Sequence, residues 1–118
     1  MKRSDQIKKN DTLTRKITQK RDSYCITCGS SYNLENGHFI PRRYLLTRWD
    51  LMNNNQQCTD CNRTFHGRPE TYRIKLVELY GEAEVKRLES LSRQNIKLSD
   101  YDLREIAGDL KQELNNYE

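Results

Sequence analysis

An α+β fold follows from three features of the sequence. Two C-x-x-C pairs stand 29 residues apart, two short extended stretches lie between them, and the C-terminal third repeats its apolar residues at helical spacing. The pairs are Cys25 and Cys28 in "YCITCG" and Cys58 and Cys61 in "QCTDCN". Each is a tight turn able to offer two sulfurs to one tetrahedral zinc at ~2.3 Å.

The elements can be placed in chain order. Residues 1–22 are polar and basic, with Leu13 and Ile17 at helical spacing, and predict a basic arm or a short helix. Tyr24 to Gly29 form a knuckle whose glycine permits the turn. "YNLENGHFIP" predicts a strand closing on His38 to Ile40, and a ragged connection, "RRYLLTRWDLM", leads to a second strand near Asn53 to Gln57. From Cys58 the pattern turns helical. "PETYRIKLVELYG" lines up Tyr72, Leu76, Leu79 and Tyr80 and stops at Gly81, and "EAEVKRLESLSRQ" lines up Val85, Leu88 and Leu91. Ser99 is the expected N-cap of a last helix carrying Leu103, Ile106, Ala107, Leu110 and Leu114. The expected organisation is an arm over 1–22, a zinc-bound module over 23–70 and a helical segment over 71–118.

Apolar residues make up 34% of the chain and charged residues 32%, with a mean hydropathy of −1.06. A core drawn from that composition is marginal, so another source of stability is needed. The start "MKRSDQIKKN" has no apolar export region, and no apolar run is long enough to span a bilayer. The expectation is an intracellular, reduced protein, in which four cysteines bind zinc rather than pair as disulfides. Four thiolates fill the coordination sphere, so this zinc is structural. A knuckle, a hairpin and a helix start holding one ion is a treble clef.

Charge is unevenly placed. Residues 1–22 carry a net +5 and residues 23–75 a net +3, whereas residues 76–118 carry −4. Positive charge around and before the cysteines suits a polyanion such as nucleic acid.

Reactive side chains lie in the same module. His38 closes the first strand, Asn53 follows fifteen residues later, and Asn62 and His66 stand four apart on the expected helix, on one face of it. This order resembles the HNH, or ββα-metal, nuclease motif. The resemblance implies that His38 is the general base that takes a proton from water, and an imidazole of ordinary pKa, about 6.5, suits that task. It further implies that Asn53 orients the connecting loop, and that Asn62, assisted by His66, holds one catalytic Mg²⁺ or Mn²⁺. HNH members often carry Asp immediately before the histidine, where this chain has Gly37. Glu35 is the candidate for the missing carboxylate ligand.

"NGHFIPRR", "TRWDLMNNNQQCTDCNRTFHG", "YRIKLVELYGEAEVKRLESL" and "KLSDYDLREI" together resemble the phage NinG/Rap recombination endonuclease family, over about residues 24 to 115. Two positions depart from the family pattern: Glu35 replaces a common Asp, and His66 a frequent serine. The resemblance implies cleavage of branched double-stranded DNA, such as Holliday junctions and D-loops, to 5′-phosphate and 3′-hydroxyl ends. Symmetric cutting implies a homodimer, with the apolar stripes of the C-terminal helices as its candidate interface. Arg42, Arg43, Arg48, Arg63 and Arg68 are the candidate DNA contacts; Trp49 or Tyr44 could stack on an unpaired base. Lys8, Lys9, Arg15, Lys16, Lys20 and Arg21 could track an outer DNA arm. Two rival readings stand beside this one: a noncatalytic zinc-finger accessory protein of recombination, and a general HNH nicking endonuclease indifferent to branching.

Overall fold

The computed structural model describes residues 1–118. Its centre is an antiparallel pair of strands, β1 (Leu34–His38) and β2 (Asn54–Cys58), in register from Leu34 opposite Cys58 to His38 opposite Asn54. With the helices described below, this gives the α+β class that the sequence predicts.

Every residue of β2 is buried, although four of the five carry amide side chains. A buried polar group without a partner costs on the order of 1–3 kcal/mol, so hydrogen bonding decides whether such a strand is tolerated. Asn54 Nδ2 donates to the carbonyls of Arg48 (3.0 Å) and Asp50 (2.7 Å). Asn55 Nδ2 donates to Met52 O and to the Tyr72 hydroxyl, both at 3.1 Å. Gln57 Nε2 donates to Thr27 Oγ1 (3.1 Å) and Gly67 O (2.9 Å). Asn54, Asn55 and Gln57 thus stitch the strand to the loop before it, the helix beneath it and the cysteine turns beside it, whereas Gln56 Oε1 and Gln57 Oε1 are buried without a hydrogen-bond partner.

Of the two expectations for residues 1–22, an arm or a short helix, the helix is the one that forms, and it is long. It is α1 (Arg3–Arg21), a 19-residue helix whose buried face is Gln6, Asn10, Leu13, Thr14, Ile17 and Thr18. That face recurs at the helical period, but four of its six residues are polar, so apolar spacing alone does not disclose it. Leu13 and Ile17 share a core with Trp49 and with Leu103, Ala107 and Leu110 of α5 (Asp100–Asn115). Asn10 Nδ2 donates to Leu103 O at 3.0 Å, and Gln6 Nε2 to Asn10 Oδ1 at 3.0 Å. At its other end α1 meets the hairpin: Arg21 donates to the carbonyls of Leu51 (2.9 Å) and Asn54 (2.6 Å), which makes it a structural tie and not a contact for an outer DNA arm.

The chain's two ends therefore pack together. Ser99 caps α5 as the sequence predicts, in a reciprocal box with Asp102. Because α1 covers the α5 stripe, that stripe is not free to be an interface between copies. Trp49 belongs to the same core, 4% exposed, with Nε1 donating to Asp11 Oδ1 at 2.8 Å, so it is not placed to stack on a base.

On the other side of the hairpin, α3 (Pro69–Tyr80) and α4 (Glu82–Ser92) turn about Gly81 at φ +90°. Tyr72, Leu76 and Val85 are buried against Ile26 and Phe39. Leu79 and Tyr80 are exposed, contrary to the predicted stripe, because Gly81 turns the chain and α4 closes the face through Val85. A four-residue helix, α2 (Leu45–Arg48), interrupts the loop between the strands. No helix is long and apolar enough to cross a membrane.

The Tyr72 hydroxyl donates to Gly37 O at 2.8 Å, and the Gln57 side chain lies over Gly37. A Cβ at position 37 would stand 2.8 Å from Gln57 Cδ and 2.9 Å from Cγ, and closer still to Oε1. Any side chain at position 37 would therefore crowd Gln57. Gly37→Ala is expected to lower stability by about 1–3 kcal/mol through overpacking. Thermal denaturation should register that as a fall in Tm of several degrees; an unchanged Tm would show that Gln57 can move aside.

Candidate functional site

The two cysteine pairs converge from separate turns. Gly29, at φ +79°, lets the first turn close: its N–H donates to Cys25 O at 2.8 Å, while Cys25 N donates to Ser30 O at 2.7 Å. Ile26 N donates to Gln56 O at 2.9 Å and pins this knuckle to β2. Cys58 ends β2, and Cys61 lies one turn on. All four Sγ atoms fall within 4.8 Å of one another, and Cys28 and Cys58 are 3.6 Å apart. Zinc–sulfur bonds of ~2.3 Å give tetrahedral sulfur–sulfur edges of about 3.8 Å, so the cluster fits one zinc ion. Arg68 Nε donates to Cys61 Sγ at 3.2 Å and offsets thiolate charge there.

The segment after Cys58 departs from the predicted helix. Asp60–Thr64 is a single π turn, followed by a reversal in which His66 (φ +54°), Gly67 (φ +85°) and Arg68 (φ +46°) are all left-handed. Asn62 and His66 are thus not stacked on one helical face. They nevertheless open onto the same cleft, Asn62 from the π turn and His66 from the reversal.

That cleft holds roughly 600 Å³, and apart from Pro41 and Gly67 every side chain lining it is polar or charged. His38 and Asn36 reach it from β1, facing Asp11, Thr14 and Arg15 of α1. Thr18 Oγ1 of α1 donates to Asn36 Oδ1 at 2.9 Å. Glu35, Asn62, Arg63, Arg42 and Arg48 complete the walls. Asn53 lies outside the cleft, fully buried. Its Oδ1 accepts from Ile40 N at 2.7 Å and its Nδ2 donates to Ile40 O (3.1 Å) and Thr47 O (3.0 Å). It closes the loop that follows His38 and positions that residue without touching the site.

The candidate arginines divide by environment. Arg48 is held by Asp11 through two hydrogen bonds (2.9 and 2.7 Å), and Arg63 by Glu35 (2.9 and 2.7 Å). Glu35 also accepts from Asn62 Nδ2 at 2.7 Å. Arg43 turns away from the cleft and stacks on the Tyr44 ring at 4.6 Å, while Arg68 lies over Phe65 at 4.0 Å beside the cysteines. Arg42 and Arg15 line the cleft with no ion pair. Sequence reasoning assigns Arg15 to an outer arm and passes over Asp11. Their four-residue spacing, which puts both on one helical face, is the signal that joins them.

A family model described as Bacteriophage Lambda NinG protein matches residues 2–118. The chain belongs to the NinG family. The match takes in α1, which the sequence resemblance leaves outside, in keeping with a helix that forms both core and cleft wall. No curated protein and no solved structure matches the chain.

In this NinG-family chain His38 does not keep the ordinary imidazole pKa. Burial, with the nearby Arg42 and Arg48 guanidinium groups, pushes it down to about 4 against the opposing pull of Asp11 and the Arg48 backbone. The ring is therefore neutral at physiological pH, and a weaker base than the ordinary imidazole that the sequence suggests. The folded value lies below the unfolded one, near 6.5, so the stabilising contribution is complete above about pH 6.5. It is lost as pH falls toward 4, where the unfolded chain binds a proton the folded one refuses. Thermal melts of wild type and His38→Gln between pH 7 and 4 should show wild type losing stability relative to the variant on acidification. A constant difference between the two would contradict a buried neutral ring.

Proposed function

We propose that this protein is a metal-dependent DNA endonuclease of the HNH class, acting on branched recombination intermediates. The observation that carries the reading is a polar cleft onto which a neutral His38, Asn62 and Glu35 all open, lined also by the unpaired Arg15 and Arg42. Structural zinc in the four-cysteine cluster keeps the two halves of that cleft in place.

His38 accepts the proton of the attacking water, a role whose loss usually costs 10²–10⁴-fold in rate (about 3–5 kcal/mol). Glu35 and Asn62 are the oxygen donors that suit a hard divalent ion, and His66, which opens onto the same cleft, adds an imidazole. Bound there, Mg²⁺ or Mn²⁺ would stabilise negative charge on the phosphate and on the departing 3′ oxygen. Arg15 of α1 and Arg42 of the loop after β1 hold flanking phosphates and read no base sequence. Arg48 is committed to Asp11, and Asn53 to the loop; both keep the walls in position. A four-way junction offers two equivalent phosphodiesters, so two copies act on each junction.

A labelled four-way junction and a matched linear duplex, incubated with and without Mg²⁺ at equal salt, test this directly. Wild type should cut the junction faster than the duplex and leave 5′-phosphate ends, and His38→Ala should abolish cutting while binding persists. Equal rates on both substrates would favour the general nicking enzyme, and absence of cutting with any divalent ion the accessory protein. Arg15→Ala and Arg42→Ala should each weaken binding to all DNA sequences alike and lower the salt slope by about 1; an unchanged slope would remove that arginine from the interface.

A further inference from the structure

Glu35 is fully engaged. Oε2 accepts from Arg63 Nη2 at 2.7 Å, and Oε1 accepts from Arg63 Nε at 2.9 Å and from Asn62 Nδ2 at 2.7 Å. The guanidinium forks across both carboxylate oxygens, the geometry in which arginine binds a carboxylate best. The two partners differ in exposure: the Arg63 side chain is 74% exposed and that of Glu35 only 23%. Arg63 thus caps the carboxylate from the solvent side and can swing away without disturbing any packing. Asn62, which spends its N–H on Glu35, has no hydrogen-bond partner at Oδ1.

We infer that Arg63 is the resident cation of the Glu35–Asn62 site, displaced when a divalent ion binds and thereby released onto a DNA phosphate. The inference rests on the proposed reading of Glu35 and Asn62 as ion ligands. A divalent ion needs a carboxylate oxygen that Arg63 now occupies, and the two positive groups repel at that distance, so the site holds one or the other. Arg63 and Asn62 are adjacent on the π turn, so a guanidinium that leaves Glu35 stays at the cleft where a phosphate would lie. Ion binding and DNA binding then favour each other reciprocally, since each removes a competitor of the other.

Mn²⁺ titration of the zinc-loaded protein without DNA, read by the electron paramagnetic resonance of free Mn²⁺, separates this from simple charge removal. Arg63→Met should bind Mn²⁺ at least tenfold more tightly than wild type. Arg63→Lys, which keeps the charge but loses the fork, should gain affinity too. Arg15→Met removes one positive charge from the same cleft and should gain less than threefold. Equal gains in Arg63→Met and Arg15→Met, or none in Arg63→Met, would overturn the displacement. Glu35→Gln tests the underlying reading separately: at least a tenfold loss of Mn²⁺ affinity supports it, and unchanged affinity overturns the ligand assignment itself. In a His38→Ala background, Mn²⁺ should steepen the salt dependence of junction binding by about one phosphate contact when Arg63 is present and leave it unchanged in Arg63→Met. The same slope in both would overturn the release onto phosphate.

Discussion

Four sulfur atoms confined to one small volume determine where the rest of the chain can lie. The first pair brings in the turn that hydrogen-bonds Gln56, Cys58 is the last residue of β2, and Cys61 sits in the π turn that carries Asn62 and Arg63. A two-stranded hairpin on its own is marginal at best in water, and this junction is one of the ties, with α1 and Tyr72, that hold β1 and β2 in place. The apolar residues available are only 34% of the chain and are divided between a core under α1 and α5 and a smaller one under α3 and α4. Zinc held by the four cysteines would supply on the order of 10 kcal/mol that couples directly to folding in such small modules, and would offset that shortage.

A second constraint acts through buried polar groups. The paired amides of β2 and of the polar face of α1 are specific where an apolar surface would not be, because each finds its partner at a defined place. Asn54 fixes the loop before β2, Gln57 links the knuckle to the reversal after the π turn, and Asn53 holds the chain immediately after His38. The charges of the cleft follow the same rule: both of its carboxylates, Asp11 and Glu35, are matched to arginines, leaving Arg15 and Arg42 as its unpaired guanidinium groups. The cleft is basic because of these two residues, and His38 is neutral because it is buried near Arg42 and Arg48.

The sequence disclosed those parts of the fold that depend on covalent geometry or simple periodicity. The cysteine spacing indicated the cluster, turn residues placed both strands to within about two residues, and Ser99 opened α5 where predicted. It concealed whatever depended on polar burial. α1 was illegible as a core helix because Gln6, Asn10, Thr14 and Thr18 carry most of its buried face. Much of the cleft was legible too, since His38, Asn62, His66 and Glu35 all open onto it. The π turn and the left-handed run from His66 to Arg68 were not, since no periodic signal marks a reversal whose two non-glycine residues are held by the surrounding contacts. Arginine placement was the least readable feature, because five similar residues divide according to the acid or ring each happens to meet.

X-ray absorption at the zinc edge of the purified protein tests the central claim, that a four-thiolate ion organises the hairpin and the cleft. One zinc per chain with four sulfurs at about 2.3 Å and no lighter ligand is the predicted result. A chain that is folded without metal, or a zinc bound through nitrogen or oxygen with fewer than four sulfurs, would contradict it.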